Sequence, residues 1–470
     1  MRKRMDCCTR RVFLGGGLSL ATGMIPAFGA KKPSLPSYYD NYLEDIARKI
    51  NSNAKESTDG FWFLADIHVP VNSAQSGKII AALAEKVPID NVFFGGDLPY
   101  AYVADGSGSC RESLNRTVDA FCRNWVEPIS QAGLGAYFAR GNHDFIICAD
   151  NTFKSGLTLS ADETKAIIAG RFTRGDFVTN EKDADACYGY FDNFRSKVRY
   201  IIADTTDSVD LTQKVCGVVP GMNAPQLHWL AGQALGTMKE GWAAVIVHHI
   251  PIASLVGWED EVERYADFRH LCEAYQNRGK VKVLGRNFDF SGACGKIMLS
   301  ISGHHHSERQ TFQNGILYVT EPCDMLDRDY LYGSGEWCGK LPRKIKGTIH
   351  EQTFDAVQIN PGKNLVFFTR VGGGQDRVIH TDPLKVKVGG RLPFESTRLK
   401  GPVKWGCYDA DHIERRKNPE SKWCPLVAFR TSYATVGEDG VLEGKRPGES
   451  IVVAMDENLN KEIFPVTVVP

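Results

Sequence analysis

The chain has 470 residues, the length of about three average domains. Its composition is that of an ordinary folded protein, with 43% hydrophobic and 24% charged residues, which excludes a disordered chain, a collagen-like chain and a multi-span membrane protein. Lysine and arginine together number 56, as do aspartate and glutamate, so the formal net charge is zero. No nucleic-acid-binding surface and no polybasic signal for anionic lipid is therefore predicted.

Residues 1–30 have the pattern of an export signal. Paired arginines, Arg10 and Arg11, stand just ahead of a Phe-Leu pair, and a glycine-rich apolar stretch follows and ends in small residues near Ala30. This pattern resembles a bacterial twin-arginine signal peptide, which implies export to the periplasm or the cell exterior and cleavage that leaves no membrane anchor. An uncleaved anchor is the alternative, and the glycines and proline of the stretch argue against it.

Between residues 36 and 382, short apolar runs alternate with helical patterns. Apolar residues recur at helical spacing near 43–50, 114–125 and 227–234, which predicts helices there. The runs between them predict strands buried on both faces, at 61–65, 91–94, 136–139, 198–203, 243–247 and 297–301. Strands alternating with helices predict a layered α/β domain over 36–382, whose last strands form a hairpin around residues 360–363.

From residue 384 to residue 470, the pattern changes to short strands and turns. The segment resembles bacterial Ig-like domains of group 2, whose A-T-V, D-G-V, P-G and closing V-T-V elements it matches at 434–436, 439–441, 447–448 and 466–468. The resemblance implies a small all-β domain that is separable, takes no part in catalysis and could contact the cell surface or a glycan. An unrelated small β-sandwich is the alternative.

An odd number of cysteines follows residue 30, so at least one thiol is expected to stay unpaired in an oxidising compartment. No C-x-x-C pattern is present, so neither zinc-ribbon nor thioredoxin chemistry is predicted. The candidate disulfide pairs, chosen by position in the chain, are Cys407 with Cys424, Cys110 with Cys122, and Cys323 with Cys338.

Seven of the twelve histidines lie in four short windows, each of which follows a predicted strand. Aspartate, asparagine and glycine accompany them in five motifs: Asp66-Ile67-His68, Gly96-Asp97, Gly141-Asn142-His143-Asp144, His248-His249-Ile250-Pro251 and Gly303-His304-His305-His306. In open α/β sheets, ligands bind outside the carboxyl ends of the strands, so these residues can converge there. Carboxylate, imidazole and amide oxygen suit Fe, Mn, Zn or Co, and one carboxylate can bridge two such ions. The sequence therefore predicts a site for two divalent cations.

In this order, the five motifs resemble those of the calcineurin-like metallophosphoesterase superfamily: D-x-H, G-D, G-N-H-[DE], H-x-P and G-H-x-H. The resemblance implies a four-layer α/β/β/α sandwich that hydrolyses small phosphate mono- or diesters through a metal-bound hydroxide. It implies one metal held by Asp66, His68, Asp97 and His306, and another held by Asp97, Asn142, His249 and His304, with Asp97 as the bridge. By the same resemblance, His143 is the general acid or a transition-state donor, and Asp144 orients it.

The roles of three residues next to these ligands, His248, His305 and Arg140, are considered separately. His248 and His249 compete for one ligand position, and the H-x-P pattern favours His249. His305 stands between two ligands and is expected to be a neighbour rather than a ligand. Arg140, just ahead of the Asn142 motif, either faces the substrate or caps its strand.

Two other functions stay open. Asp97-Leu98-Pro99-Tyr100 resembles the D-x-x-Y of purple acid phosphatases, which are monoesterases whose tyrosine binds ferric iron. Those enzymes have D-x-G where this chain has His68, so Tyr100 is expected to line or pack the pocket. The second alternative is a non-catalytic surface binding protein with a vestigial metal site, against which the intact set of ligand types argues. The natural substrate does not follow from the motifs, because specificity would lie in the long connecting loops.

Overall fold

The structure is a computed structural model that describes residues 34–69, 75–98, 117–144, 146–148, 156–158, 177–183, 186–207, 221–254, 259–325, 337, 344–416 and 426–470. The proposed signal at 1–30 and Tyr100 lie outside these ranges, as do Cys110, Cys338 and Cys424. Cys323 and Cys407, the described members of two predicted disulfides, are buried free thiols, and Cys122, the described member of the third, is buried. Within the same ranges, no helix combines the length and the apolar character needed to cross a bilayer.

The helices of the described chain are short and lie outside two β-sheets. They are α1 (Asp40–Asn53), α2 (Ser76–Leu83), α3 (Glu127–Gln131), α4 (Ala224–Trp229), α5 (Glu259–Arg264) and α6 (Ala266–Gln276). A 3-10 turn leads into α1, and π-helical turns adjoin α3 and α4, at Ser37–Tyr39, Cys122–Val126 and Leu230–Leu235.

The strands fall into two groups along the chain. Those of the α/β part are β1 (Asp59–Leu64), β2 (Asn91–Phe94), β3 (Gly135–Phe138), β4 (Ile146–Cys148), β5 (Gly156–Thr158), β6 (Val178–Thr179), β7 (Gly189–Asn193), β8 (Val198–Ile202), β9 (Ala243–Val247), β10 (Lys280–Val283), β11 (Arg286–Asp289), β12 (Lys296–Ser302), β13 (Arg309–Gln313), β14 (Ile316–Thr320), β15 (Thr353–Asn360), β16 (Leu365–Gly372) and β17 (Arg377–His380). Those of the C-terminal segment are β18 (Leu384–Lys387), β19 (Arg391–Pro393), β20 (Lys404–Asp409), β21 (Ile413–Arg416), β22 (Leu426–Phe429), β23 (Ala434–Val436), β24 (Val441–Gly444), β25 (Gly448–Met455) and β26 (Lys461–Val469).

Two large sheets carry most of these strands. The first has the order β20-β25-β26-β17-β16-β15-β1-β2-β3, with β18 paired to β26, and the second has the order β13-β14-β12-β9-β8-β7-β6. In the first sheet β1, β2 and β3 run parallel, and in the second β8, β9, β12 and β14 do. Because parallel strands end on the same edge of a sheet, the loops that follow them meet there.

The layers are those of the predicted α/β/β/α sandwich. The inner faces of the two sheets share one apolar core, in which the ring of Phe61 lies 5.2 Å from that of Phe93 and 5.7 Å from that of Tyr200. α1, α2 and α3 cover the outer face of the first sheet, and α4 and α6 cover that of the second. α1 buries the apolar stripe that its sequence spacing predicts, including Leu43 and Ile46.

The C-terminal segment is all-β, as predicted, but it continues the first sheet. β26 pairs with β17 in parallel and with β25 in antiparallel, so no break separates the two parts. The segment has a small apolar core of its own, yet Tyr408, Ile451 and Ile463 lie in the core between the two large sheets. Gln310 Nε2 donates to the Tyr408 hydroxyl at 3.1 Å. The segment therefore shares a sheet and a core with the α/β part, and its separability stays a prediction.

Candidate metal centre

The motif residues lie at the carboxyl ends of parallel strands, along one edge of the two facing sheets. Local sequence explains this placement, because each motif directly follows a strand whose residues are buried on both faces. The loops in question follow β1 (Asp66 and His68), β2 (Asp97), β3 (Asn142 and His143), β9 (His249) and β12 (His304 and His306).

The backbone of these loops adopts an unusual conformation. Five motif residues have φ between 48° and 73°, in the left-handed region that non-glycine residues rarely occupy: Asp66, His68, Asp97, His304 and His306. Such conformations cost about 1–3 kcal/mol each and persist where the surrounding structure fixes them, most often at functional sites. Strain is thus concentrated at five of the predicted ligands.

Two glycines allow the loops to pack closely against the carboxylates. A Cβ atom at Gly141 would lie 2.2 Å from Asp97 Oδ1, and one at Gly303 would lie 2.5 Å from Asp66 Oδ2. No side chain fits at either place, because the Cβ would also lie 2.3 Å from the Asp97 main-chain nitrogen at Gly141 and 2.5 Å from the Ala65 Cβ at Gly303. The glycines of the G-N-H-D and G-H-H-H motifs are therefore required by the packing of the site.

The side chains form two neighbouring clusters with the donor types of metal ligands. Within each cluster, the ligand atoms all lie within 4.8 Å of one another, and the clusters are Asp66 with His68 and His306, and Asp97 with His249 and His304. Asn142 joins the second cluster, since its Oδ1 lies 3.0 Å from His249 Nε2. Nitrogen and oxygen donors at this spacing fit Fe, Mn, Zn or Co. The structure thus brings all seven predicted ligands together, in two groups.

The carboxylate of Asp97 lies between the two clusters. Its Oδ2 is 3.3 Å from His249 Nε2 in the second cluster and 3.8 Å from His68 Nε2 in the first. Its Oδ1 accepts a hydrogen bond from the backbone N–H of His143 at 2.8 Å, which fixes the orientation of the carboxylate. One carboxylate in this place can contact two cations, so the geometry fits a bridging role.

Adjacent histidines after β9 have different surroundings. His249 Nδ1 lies 2.7 Å from the carbonyl oxygen of Gly95, an arrangement that leaves Nε2 directed at the second cluster. His248 instead contacts Ile250 O through Nδ1 at 2.9 Å and Ser300 Oγ through Nε2 at 2.7 Å. Burial lowers the pKa of His248 to about 4. The structure therefore places His249, and not His248, among the candidate ligands.

His305 and His143 also flank the clusters. His305 is buried and belongs to neither cluster, as the sequence predicts, with its ring 5.2 Å from that of His304. His143 Nε2 lies 3.9 Å from Asp97 Oδ2, and its side chain is 24% exposed, whereas that of His249 is 0% exposed. His143 therefore lies on the open side of the site, where a substrate can reach it.

The carboxylate of Asp144 fixes two loops of the site. Its oxygens accept hydrogen bonds from the backbone N–H groups of Asp97 at 3.0 Å, Leu98 at 2.8 Å and Gly141 at 2.7 Å. Both oxygens thus face main-chain donors. Asp144 therefore positions the Asp97 loop against the Gly141 loop, and an orienting role toward the His143 ring stays a prediction.

Arg140 joins the ends of two strands in facing sheets. Its Nη2 forms a 2.6 Å ion pair with Asp204 Oδ2 and donates to Thr206 O at 3.2 Å. Arg140 follows β3 and Asp204 follows β8, and both are buried, so this ion pair links the two strand ends. The sequence motifs do not include Asp204, although its position directly after a buried strand is a signal that it shares with the other aspartates of the site.

Cys323 is a second neighbour that the motifs do not include. It follows β14 and is buried beside His306. Burial raises the pKa of the Cys323 thiol, but Lys344 and His306 together lower it more, so the pKa lies below its usual value. The Nζ atom of Lys344 donates to the carbonyl oxygens of Cys323 and Met325 and so holds this turn against the site.

Metal binding is expected to release protons at pH 7. In the metal-free protein, burial lowers the pKa of His249, but the carboxylate of Asp97 raises it more, to about 9. Asp66 likewise raises the pKa of His306 well above its usual value, against the effect of burial. Both imidazoles are therefore protonated at pH 7, and a cation must displace these protons to bind there.

Calorimetric titration of the metal-stripped protein with Mn²⁺ in PIPES and in Tris measures this release, because the two buffers differ in their heat of protonation. The apparent affinity should rise with pH until His249 loses its proton near pH 9. His143→Ala is the control: burial, only partly offset by Asp97, lowers the pKa of His143, so its imidazole is mostly neutral at pH 7 and keeps its single N–H when the cations bind. Equal heats in both buffers would contradict the expectation.

Comparison with known families shows the family to which the α/β part belongs. Residues 60–308 match the profile of the family described as calcineurin-like phosphoesterase, a stretch that is more than half of the chain and contains every candidate ligand. The chain belongs to the calcineurin-like phosphoesterase family. This membership confirms the predicted family.

Two curated relatives share part of the sequence of this chain. The UDP-2,3-diacylglucosamine hydrolase of Yersinia enterocolitica is 28% identical over 141 residues, which cover 29% of this chain and 53% of the relative. The enzyme of the same name from Stenotrophomonas maltophilia is 28% identical over 111 residues, which cover 23% of this chain and 42% of the relative. The chain thus spans about half the length of the curated relatives that it matches.

Solved structures with similarity to this chain are distant. Phosphopantetheinyl hydrolase from Mycobacterium tuberculosis is 14% identical, with a TM-score of 0.28, over 57% of this chain and 90% of the other. GAP50, the anchor in the inner membrane complex of Plasmodium, is 12% identical, with a TM-score of 0.36, over 66% of this chain and 84% of the other. TM-scores of this size carry no argument about function.

Proposed function

We propose that this chain is an exported hydrolase of phosphate mono- or diesters that uses two divalent cations. The observation that carries the proposal is the pair of ligand clusters between which Asp97 lies, with His143 beside them on the open side. Phosphate esters resist hydrolysis because their negative charge repels an anionic nucleophile. Two cations held close together suit this reaction for that reason.

Each group of the site has a proposed task. Fe, Mn, Zn or Co in the two clusters would neutralise the phosphoryl oxygens and activate a water molecule. Asp97 would hold both ions, and the contact between His249 Nδ1 and Gly95 O directs the other ring nitrogen inward. His143, which is partly exposed, would donate a proton to the departing oxygen. Asp144 would hold Asp97 in place through the main chain.

A small phosphate ester is the proposed substrate, and the diester class is the first to test. Testing diesters first is supported by the curated relatives, which are named as hydrolases of a UDP-linked compound. The panel comprises a nitrophenyl phosphate monoester, a bis-nitrophenyl diester and a UDP-sugar, each assayed with protein that has been stripped of metal and reloaded with Mn, Fe, Zn or Co. Metal-dependent turnover of at least one ester is the expected result.

Other outcomes of the same panel would favour the alternatives. Inactivity on every ester by protein with two bound ions would favour a non-catalytic binding protein. A visible tyrosinate–iron absorbance band would favour a site of the purple acid phosphatase type with Tyr100 as a ligand, whereas the D-x-H site with His68 should be nearly colourless.

His143→Ala is expected to keep both cations and to lose turnover selectively. On an ester with an alkoxide leaving group, the rate should fall about 10²–10⁴-fold, the usual contribution of acid catalysis. The loss should shrink on a nitrophenyl ester, because nitrophenolate departs without a proton. His270→Ala, at an exposed position on α6, is the control. Metal loss in the His143 variant, or equal rate losses on the two esters, would contradict the acid role.

Export by the twin-arginine route is part of the proposal and is supported by Arg10 and Arg11. Changing both to lysine is expected to leave the protein in the cytoplasm, because this route requires the arginine pair. Cell fractionation and immunoblotting measure the outcome, and Arg2→Lys with Arg4→Lys, just outside the pair, is the control. Unchanged export of the paired variant would contradict the route.

For segment 384–470, we keep the Ig-like resemblance as a proposal, together with a contact to the cell surface or a glycan. Its support is the small apolar core of the segment and the three-stranded sheet β19-β24-β23 that lies outside the two large sheets. Binding of the full chain to isolated cell walls and to a glycan array tests the contact.

A further inference from the structure

A group of buried charges, here called the charge cluster, lies outside the two ligand clusters. Its six side chains are each 2% exposed or less: Glu308, Glu321, Asp355, Arg370, Arg377 and Lys461. Burying a charge is costly unless hydrogen-bonded partners satisfy it. Each member is therefore held in place by the others, and a change in one is felt by its neighbours.

Two arginines form the centre of the charge cluster. Arg370 Nη2 lies 2.7 Å from Glu308 Oε2, and Arg370 Nε lies 2.8 Å from Asp355 Oδ1. Arg377 Nη1 lies 3.1 Å from the same Glu308 Oε2, and Arg377 Nη2 lies 2.6 Å from Asp355 Oδ2. Both guanidinium groups thus approach Glu308 on the side of its Oε2.

The other oxygen of Glu308 faces the C-terminal segment. Lys461, the first residue of β26, donates from Nζ to Glu308 Oε1 at 3.5 Å. The main chain of Lys461 pairs with Arg377 in the β17–β26 ladder, and its N–H donates to Asp376 O at 3.0 Å. The position of this ammonium group is therefore fixed by the sheet as well as by the charge cluster.

Glu308 closes the loop that carries two of the candidate ligands. At the start of this loop, the N–H of His304 donates to Asp66 Oδ2 at 2.8 Å. At its end, two residues after His306, Glu308 enters the charge cluster just before β13. Between the two anchors, His304 and His306 have left-handed φ values of 73° and 52°. A strained loop of this kind keeps its shape only while the structure around it holds both ends.

We propose that Lys461 is a positioning residue for the first ligand cluster and acts through Glu308 on His306. The inference rests on the metal-binding part of the proposed function. Lys461 donates a hydrogen bond to Glu308 Oε1. Without the ammonium group, this buried oxygen loses a cationic donor. The Glu308 carboxylate, still held at Oε2 by the two arginines, can then rotate. That movement reaches His306 through one intervening residue. The C-terminal segment thereby contributes to the metal centre.

The test is metal binding by the full-length Lys461→Met variant, which keeps the length of the side chain and removes the ammonium group. Metal-stripped protein is titrated with Mn²⁺ by calorimetry in the absence of substrate. One of two binding events is expected to weaken about tenfold, the lower end of the loss when an outer partner of a metal ligand is removed. The other event should keep its affinity, and Lys461→Arg should restore most of the loss.

Lys445→Met is the matched control, because Lys445 lies in the same segment but pairs with Glu443 at the surface, at 2.7 Å. It should bind both ions as the unchanged protein does. If Lys461→Met does not fold, Glu308→Gln, which preserves size, replaces it with the same expectation.

Unchanged affinity for both ions in Lys461→Met would overturn the inference. So would equal weakening of both ions with a lower melting temperature, which a purely structural role predicts. If the unchanged protein binds two ions and hydrolyses no ester, while Lys461→Met weakens one ion, the proposed function fails and the inference stands.

Discussion

Replacing Asp97 with asparagine is expected to remove at least one cation and to lower kcat/KM by roughly 10³-fold or more, since metal ions contribute several kcal/mol of transition-state stabilisation. Asp97 Oδ2 lies near His249 Nε2 and His68 Nε2, at 3.3 and 3.8 Å, so its negative charge serves both clusters. Asparagine can still accept the hydrogen bond from the His143 N–H. The substitution therefore preserves the loop and removes the charge.

Metal analysis and rates measured on one preparation decide this prediction. Asp409→Asn is the control for neutralising a buried aspartate, because Asp409 accepts hydrogen bonds from the N–H groups of Ser432 and Tyr433 in the C-terminal segment. It should keep two ions and full turnover. Two bound ions and a rate within tenfold of the unchanged protein in Asp97→Asn would mean that the cations do not share this carboxylate.

The metal centre could be predicted from sequence because its ligands follow buried strands directly. The apolar runs at 61–65 and 243–247 indicate the strands, and Asp66 and His249 come immediately afterwards. Parallel pairing then brings the strand ends to one edge. The choice between His248 and His249 also has a local basis, since neighbouring residues after a strand point to different surroundings. Pro251, two residues after His249, completes the H-x-P pattern and so indicates that His249 faces the site.

The supporting contacts of the site could not be predicted in the same way. Asp144 accepts hydrogen bonds from the main chain of residues more than forty positions earlier, and Arg140 pairs with Asp204 across the two sheets. These contacts depend on which strand ends lie opposite each other once the sheets have packed. A local sequence pattern predicts that a strand forms, but it does not predict which distant strand end will lie opposite it.

The C-terminal segment shows the same limit on a larger scale. Local patterns predict its strands and turns, and the strands are present. Its membership in the first sheet rests on the pairing of β26 with β17, about eighty residues earlier, and on the place of Tyr408 in the main core. The resemblance to a known small domain does not predict this pairing, because a resemblance of local turns carries no information about which edge of a sheet is free to accept a strand.

A chain that ends at Asp382 is therefore expected not to fold to a stable monomer. The truncation removes β18 to β26, leaves β17 as an open edge, and takes Tyr408, Ile451 and Ile463 out of the main core. Each large apolar side chain contributes about 1.5–3 kcal/mol when buried. Three of them together are comparable with a typical net stability of about 5–15 kcal/mol. Glu308 also loses Lys461, and an unpaired sheet edge promotes aggregation.

Residues 31–382 and 31–470 are compared by circular dichroism, sedimentation and thermal unfolding. The shorter chain should aggregate or unfold without a cooperative transition, and the longer one should unfold cooperatively as a monomer. Co-expression of residues 384–470 as a separate chain is the control for specificity, because a strand supplied in trans can pair with β17 and restore solubility. A soluble 31–382 monomer that unfolds cooperatively and binds two Mn²⁺ ions would show that the segment is a separable module after all. If that chain bound both ions with the affinities of the 31–470 chain, the basis for a role of Lys461 would also be removed, since the metal centre would then be complete without β26.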